Sequence, residues 1–261
     1  VNIHATAHYD VPVPTNWDSK LIVAVVGWLE RRIARDSLVG HRPVFDTALF
    51  PWVPTLETAA PAIRAELDAV LREDGSELPG FHEIVQSVDT ITRDRRWQTF
   101  MFYGYGRKSR ENLARCPATA AALAKVPGLQ TAFFSILSPG KRIPPHRGPY
   151  NGVLRVHLGL LVPQPRDRCW IRVDDQLLHW DEGHAIVIDD SFEHEVHNDT
   201  DGYRVVLFLD FERPCRYPAK LYNRLLLGWS RISPQINEAM RRQRAWEKLR
   251  RAQKLAPTNL T

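Results

Sequence analysis

His146 and His194 are the residues around which this chain could do chemistry. The first stands in Pro145-His146-Arg147-Gly148-Pro149, and the second in Asp189-Asp190-Ser191-Phe192-Glu193-His194-Glu195-Val196. Two neutral imidazoles can hold one iron(II). The usual non-haem arrangement adds a carboxylate to the same face of the metal, in a pattern that begins His-x-Asp or His-x-Glu. Gly148 occupies that third place, so the expected site has no carboxylate ligand and leaves room beside the metal for water. Between the histidines lies Leu154-Arg155-Val156-His157-Leu158-Gly159-Leu160, and after them Tyr203-Arg204-Val205-Val206-Leu207-Phe208-Leu209-Asp210. Both read as strands with basic groups among apolar ones. A buried, unpaired guanidinium is costly, and a planar guanidinium is the best bidentate partner for a carboxylate. Arg155 and Arg204 are therefore candidates for binding an anionic cosubstrate.

The elements that must position these groups are short strands. From Leu129 to Arg213 nearly every apolar run spans four to eight residues and is bounded by Gly, Pro or Asp, the pattern of an antiparallel barrel or jelly roll. The alternation around His194 puts Phe192, His194 and Val196 on one face and the two glutamates on the other. Asp189 and Asp190 are expected to shape the turn before that strand, and His179 and His184 to lie on the surface. Upstream, Trp17 to Arg35 reads as a helix capped by Asp18 or Ser19, with Arg31, Arg32 and Arg35 collaring an apolar stretch. Leu56 to Arg72 reads as a second helix with Pro61 in its first turn and Ile63, Leu67, Val70 and Leu71 on one face. Trp97 to Tyr103 alternates like a strand, Ser109 to Lys125 is a third helix, and Pro234 to Lys254 is a strongly basic helix.

The succession P-H-x-G-P, R-x-H-L-G-L, D-D-S-F-E-H-E-V and an arginine on the next strand, over roughly residues 130 to 214, resembles the aspartyl/asparaginyl β-hydroxylase family of iron(II)- and 2-oxoglutarate-dependent dioxygenases. The resemblance implies a mainly β fold, a double-stranded β-helix (jelly roll, cupin-like) with flanking N- and C-terminal helices. It implies that His146 and His194 are metal ligands, and that Ser135, Arg155, His157 and Arg204 bind 2-oxoglutarate, with O2 as the oxidant. Arg204 would meet the distal carboxylate, with Arg155 and His157 near the chelating end. His197 stands where many members carry Trp, which makes it a rim residue. The runs Phe102-Tyr103-Gly104-Tyr105-Gly106-Arg107-Lys108-Ser109, Phe133-Phe134-Ser135-Ile136-Leu137 and Pro144-Pro145-His146-Arg147-Gly148-Pro149-Tyr150 resemble the bacterial, lipid A 2-hydroxylase-like branch. That branch implies an acyl-chain substrate. The alternatives are β-hydroxylation of Asp or Asn in a peptide and, from a different class, a cupin-like metal-binding protein without turnover.

Composition bounds the rest. A chain of 261 residues with 44% hydrophobic content suits one domain, with residues 1–128 as N-terminal additions, 129–214 as the core and 215–261 as a basic helical extension. Cys116, Cys169 and Cys215 make no Cys-x-x-Cys pair, which points to a reducing compartment rather than a disulfide framework. The net charge of +5 favours an acidic partner. An anionic membrane surface is the expected one, since no nucleic-acid motif is present. Leu21 to Leu29 is about half the length needed to span a bilayer, and the start of the sequence lacks the features of a signal peptide. The expected location is cytoplasmic, peripheral at the inner face of a bacterial inner membrane.

Overall fold

The computed structural model describes residues 17–255. Its strands are β1 (Val44–Phe45), β2 (Trp97–Gly104), β3 (Arg107–Lys108), β4 (Leu129–Leu137), β5 (Arg142–His146), β6 (Val153–Leu161), β7 (Cys169–Val173), β8 (Gln176–His179), β9 (Ala185–Ile188), β10 (His194–Asn198) and β11 (Arg204–Glu212). They form two antiparallel sheets, one ordered β1-β9-β6-β11-β4-β2-β3 and the other β5-β10-β7-β8. This is a mainly β jelly roll with helices at both ends, as the strand pattern and the resemblance implied.

The central strands are buried on both faces, which is why they read as nearly continuous apolar runs. Along β11, Val205, Leu207, Leu209 and Phe211 join the cluster that packs under a helix, whereas Val206 and Phe208 join Ile143, Ile171, Val173 and Val196 between the sheets. On β6, Val156, Leu158 and Leu160 face the helix side. Strand alternation then turns Arg155, His157, Arg204 and Asp210 into the space between the sheets.

The helices are α1 (Trp17–Asp36), α2 (Val53–Thr58), α3 (Ala60–Asp74), α4 (Phe81–Ile84), α5 (Arg110–Arg115), α6 (Pro117–Leu123), α7 (Ala219–Ser230) and α8 (Pro234–Leu255). Asp18 and Ser19 lie inside α1 rather than capping it. The single helix expected from Leu56 is two, because Pro61, in the first turn of α3, starts a new helix after Ala59. The helix expected over Ser109 to Lys125 also splits. Ser109 caps α5 by accepting from the Asn112 N–H, and Pro117 forces Cys116 out of the helical region, to φ −127° and ψ 70°.

α8 is the basic helix expected over Pro234 to Lys254, and it packs on the barrel. Ile236, Ala239 and Met240 are buried, and the Trp246 indole donates to the Glu77 carbonyl at 3.1 Å. Several of its cations are matched within the chain: Arg242 pairs with Glu238, Arg250 with Asp74 and Arg251 with Glu111. The tail is a packed element rather than a free polybasic arm. Cys116, Cys169 and Cys215 are free and buried. Among the described residues no helix is long and apolar enough to cross a membrane.

Candidate active site

His146 ends β5 and His194 begins β10, and the two are direct cross-strand partners. Their ring centroids lie 4.1 Å apart with planes at 52°. Nδ1 of His146 is 2.8 Å from the Pro144 carbonyl, and Nδ1 of His194 is 3.0 Å from the Phe192 carbonyl. A carbonyl only accepts, so each Nδ1 carries the hydrogen and each Nε2 keeps its lone pair, the tautomer a metal requires. Burial pulls the His146 pKa down to about 4 and holds His194 well below the ordinary histidine range, which keeps both rings neutral. As the alternation required, Glu193 and Glu195 turn outward, where both pair with Arg172. His197 is on that outer face too, stacked on Trp170 at 4.0 Å and 3.1 Å from Glu195, too occupied to be a spare ligand. Among the described residues no group of three His, Cys, Asp or Glu side chains could hold a metal.

The space beside Gly148 is taken by a carboxylate, which corrects the expectation of room for water there. A Cβ on Gly148 would lie 2.2 Å from Asp190 Oδ2. Asp190 thus does more than shape its turn, a task that Asp189 performs by accepting from Ser191 N and Oγ. Burial pushes the Asp190 carboxyl up to about 7, against the pull of Arg155. Arg155 Nη2 is 2.8 Å from Asp190 Oδ2, and its Nε is 2.9 Å from Asp210 Oδ1. The argument that burial of Arg155 demands a ligand anion therefore fails, because two carboxylates of the chain already answer it.

Arg204 is the opposite case. It is 2% exposed, and its Nε and Nη1 have no hydrogen-bond partner among the described residues. Its guanidinium carbon sits 4.6 Å from the Trp180 ring centroid, and burial lowers its pKa to about 10. His157, 5% exposed, has neither ring nitrogen partnered among the described residues. Its pKa is held well below the ordinary range, by burial first and then by Arg204 and Arg155. Ser135 is the register partner of Val206 on one side and Thr99 on the other, so all three share the inner face with Arg204. The Ser135 hydroxyl accepts from Trp97 Nε1 at 3.0 Å and keeps its own hydrogen to donate. Thr99 Oγ1 and Trp180 Nε1 are further buried groups without partners. The sequence reading missed both, although the Trp97-Gln98-Thr99 alternation would have turned Thr99 inward; nothing in the loop sequence marks Trp180. Buried polar groups are rarely left unpaired, and this set, with one full positive charge and several donors, suits a small polar anion.

Next to His146 a cavity of about 130 Å³ opens, floored by His146, Arg155, Asp190 and Phe208 and walled by apolar residues of α4, the turn after it, and α8. The sequence of the aspartyl/asparaginyl β-hydroxylases matches residues 57–214, which span the two histidines, Arg155 and Arg204. The chain belongs to the aspartyl/asparaginyl β-hydroxylase family. It is 49% identical over 230 residues to the ornithine lipid ester-linked acyl 2-hydroxylase of Rhizobium tropici, covering 88% of this chain and 82% of that protein. It is 33% identical over 175 residues to the aspartyl/asparaginyl β-hydroxylase of Homo sapiens, covering 65% of this chain but 22% of that protein. Among solved structures, a Pseudomonas putida prolyl-4-hydroxylase superposes with a TM-score of 0.38 at 21% identity, over 59% of this chain and 87% of that one. These sequence relatives bear the names of hydroxylases, which places the chain in a hydroxylase family; its jelly roll rests on its own strand order.

Proposed function

We propose that the chain is an iron(II)- and 2-oxoglutarate-dependent hydroxylase acting on carbon 2 of an ester-linked acyl chain in a bacterial membrane lipid. The observation that carries the reading is Arg204, a guanidinium buried with no counter-ion among the described residues, on the sheet that faces the one carrying His146 and His194. His146 and His194 would hold iron(II). Arg204, with the hydroxyls of Ser135 and Thr99, would take the distal carboxylate of 2-oxoglutarate, and His157 would donate near its chelating end. When bound, this group supplies with O2 the oxidising power that places one oxygen into a C–H bond and leaves succinate and CO2. The chain's own part is to orient and to exclude water. The Nδ1–H bonds to Pro144 and Phe192 fix the two rings, and Phe133 and Phe208, stacked at 4.3 Å, seal the inner face.

Two observations favour an acyl chain over an aspartyl or asparaginyl side chain. The cavity beside His146 is walled by Ile84, Val85, Val88, Ile91, Met101 and Met240, and Arg155, matched by Asp190 and Asp210, has no spare charge for a substrate carboxylate. The name of the Rhizobium tropici relative makes an ornithine lipid the first candidate and lipid A the second. A metal-binding protein without turnover would leave Arg204 buried and unanswered, at a cost of several kcal/mol. In cells the enzyme would work at the cytoplasmic face of the inner membrane. The test supplies purified protein with iron(II), 2-oxoglutarate and O2, and offers in turn ornithine lipid, lipid A and an Asp-containing peptide. Gain of one oxygen on an acyl chain, matched by succinate, is expected. Oxygen gained by the peptide alone would overturn the lipid reading.

A further inference from the structure

α7 has an exposed apolar stripe that the barrel does not use. Leu221, Leu225 and Trp229 fall at i, i+4 and i+8 with 39%, 62% and 64% of their surface exposed, and Ile232, just past the helix end, continues the row at 65%. Spacing of this kind puts them on one face. α1 packs beside α7, with Trp28 5.8 Å from Tyr222, and adds Val25 and Trp28, exposed by 48% and 45%. Of the twelve large apolar residues exposed among the described residues, these six lie together on one helix pair. Such clustering marks an interaction surface rather than scattered exposure.

The flank of the stripe says what covers it. Lys220, Arg224 and Arg231 run along one side and α7 contains no acidic residue; among the described residues only Arg224 of these three has an ion-pair partner, Glu212 at 2.9 Å, while Arg231 donates to the neutral Gln130 amide oxygen at 3.3 Å. Arg31 and Arg35 lie exposed on α1. An apolar stripe with a basic border is the pattern of a helix lying in a lipid interface, apolar side down and cations at the headgroups. A second copy of the chain is the poorer occupant, because self-pairing would bring two basic borders to one interface with no acidic residue on α7 to answer them. The opposite side of the same helices also bears on lipid. Leu226, Leu227 and Ser230 of α7 and Val26 of α1 line a cavity of about 330 Å³ that reaches Arg155, Asp190 and Asp210, the residues that also floor the cavity beside His146.

We infer that α1 and α7 form a docking face for an anionic bilayer, and that the cavity beneath them receives the polar ester end of a lipid while its acyl chain passes on to the histidines. The inference rests on the lipid-hydroxylase reading for the passage of the chain, and on the helix pair alone for the docking. It gives α7, rather than the C-terminal tail, the task of finding the membrane.

Co-flotation of the full chain with vesicles of phosphatidylcholine, with and without phosphatidylglycerol, tests it. Binding to the anionic vesicles is expected, weakening as salt rises. Leu225→Ser with Trp229→Ser should weaken it at least about tenfold, and Lys220→Glu with Arg231→Glu should abolish the preference for phosphatidylglycerol. Both variants should keep wild-type circular dichroism and turnover on detergent-dispersed lipid, while losing turnover on lipid presented in vesicles. Hydroxylation of dispersed lipid by a wild-type chain that ignores vesicles would overturn the docking face and leave the lipid reading standing. Vesicle binding without hydroxylation of any lipid would do the reverse. A dimer that dissociates in the Leu225→Ser/Trp229→Ser variant would assign the face to a second copy and overturn the inference.

Discussion

The carboxylate of Asp190 occupies the place that a side chain on residue 148 would need. A Cβ on Gly148 would stand 2.2 Å from Asp190 Oδ2, while the Gly148 N–H donates to the Asp190 carbonyl at 2.7 Å. The backbone contact locks the two residues together, so the chain can carry a side chain at 148 or the inward carboxylate at 190, but not both. Gly148 is then required by packing, independently of its effect on the metal.

Gly148→Asp should therefore fail to add a third ligand. The expected result is a loss of about 1–3 kcal/mol in folding stability from overpacking, with loss of turnover. Adding Asp190→Gly to the same chain should recover most of the stability. Urea unfolding of the two variants checks this; a Gly148→Asp chain as stable as wild type would show that the carboxylate moves aside freely.

His146→Ala and His194→Ala should each weaken iron(II) or manganese(II) binding by at least about a hundredfold, since among the described residues no group of three metal-binding side chains is in place to make up for a lost ring and even the partners of a metal ligand are worth about 10- to 100-fold. Metal titration followed by intrinsic fluorescence measures it. Near-normal affinity in either variant would remove that histidine from the site.

Arg204→Met separates ligand binding from stability. Loss of a charge-assisted pair with 2-oxoglutarate should cost about 2 to 5 kcal/mol of binding. Without ligand, replacing a buried, unanswered charge by an apolar chain of similar length should leave the fold as stable or more so. Thermal melts with and without 2-oxoglutarate read both effects: wild type gains stability from the ligand and the variant does not. A variant that still responds to 2-oxoglutarate as wild type does would refute the assignment.

What was legible in the sequence follows from how local each signal is. The period-two alternation around His194 placed that ring on an inner face, because strand direction is set by the chain itself, and the apolar runs of β6 and β11 marked Arg155 and Arg204 as buried. Whether a buried arginine is already answered is not local. Asp210 lies 55 residues from Arg155, and the two meet only through the pairing of β6 and β11; the argument from burial therefore loses its force for Arg155, while Arg204 shows no such partner among the described residues. Cys116 shows the converse, a local rule passed over, since Pro117 alone marks the break between α5 and α6. The reading of the sequence passed over α7 altogether, although Leu221, Leu225 and Trp229 recur at helical spacing; that the stripe is exposed is a property of the packed molecule.

Acidification should destabilise the metal-free chain. His146 titrates at about 4 and His157 and His194 well below their ordinary range, whereas unfolded histidine titrates near 6.5. Below about pH 6.5 the unfolded chain takes up protons that the folded one refuses, so stability present above that pH is lost as pH falls toward about 4. Asp190, raised to about 7, acts oppositely, since its folded form holds a proton that the unfolded one has released. Three histidines outweigh one carboxyl, and the net slope should be about 3 kcal/mol per pH unit at most. The urea midpoint in the presence of a chelator should fall between about pH 6.5 and about pH 5; a flat or rising midpoint contradicts the burial of neutral imidazoles.

Val85→Trp tests where the acyl chain lies once its carbon 2 has reached the histidines. Val85 follows α4, is half-buried and lines the apolar cavity that His146 floors. It touches none of the groups assigned to iron or 2-oxoglutarate. A Trp there adds a ring to a space of about 130 Å³, at a folding cost held to about 1–3 kcal/mol because the position is not fully enclosed. If the methylenes beyond carbon 2 run along this wall, hydroxylation of long-chain lipid should fall at least about tenfold, a loss of about 1.4 kcal/mol in transition-state binding, with short-chain lipid affected less. Stabilisation of the fold by 2-oxoglutarate should stay at the wild-type level, because Arg204 and Ser135 lie deeper between the sheets. Unchanged turnover on every chain length would place the chain outside this cavity, leaving the space beneath α1 and α7 as its path.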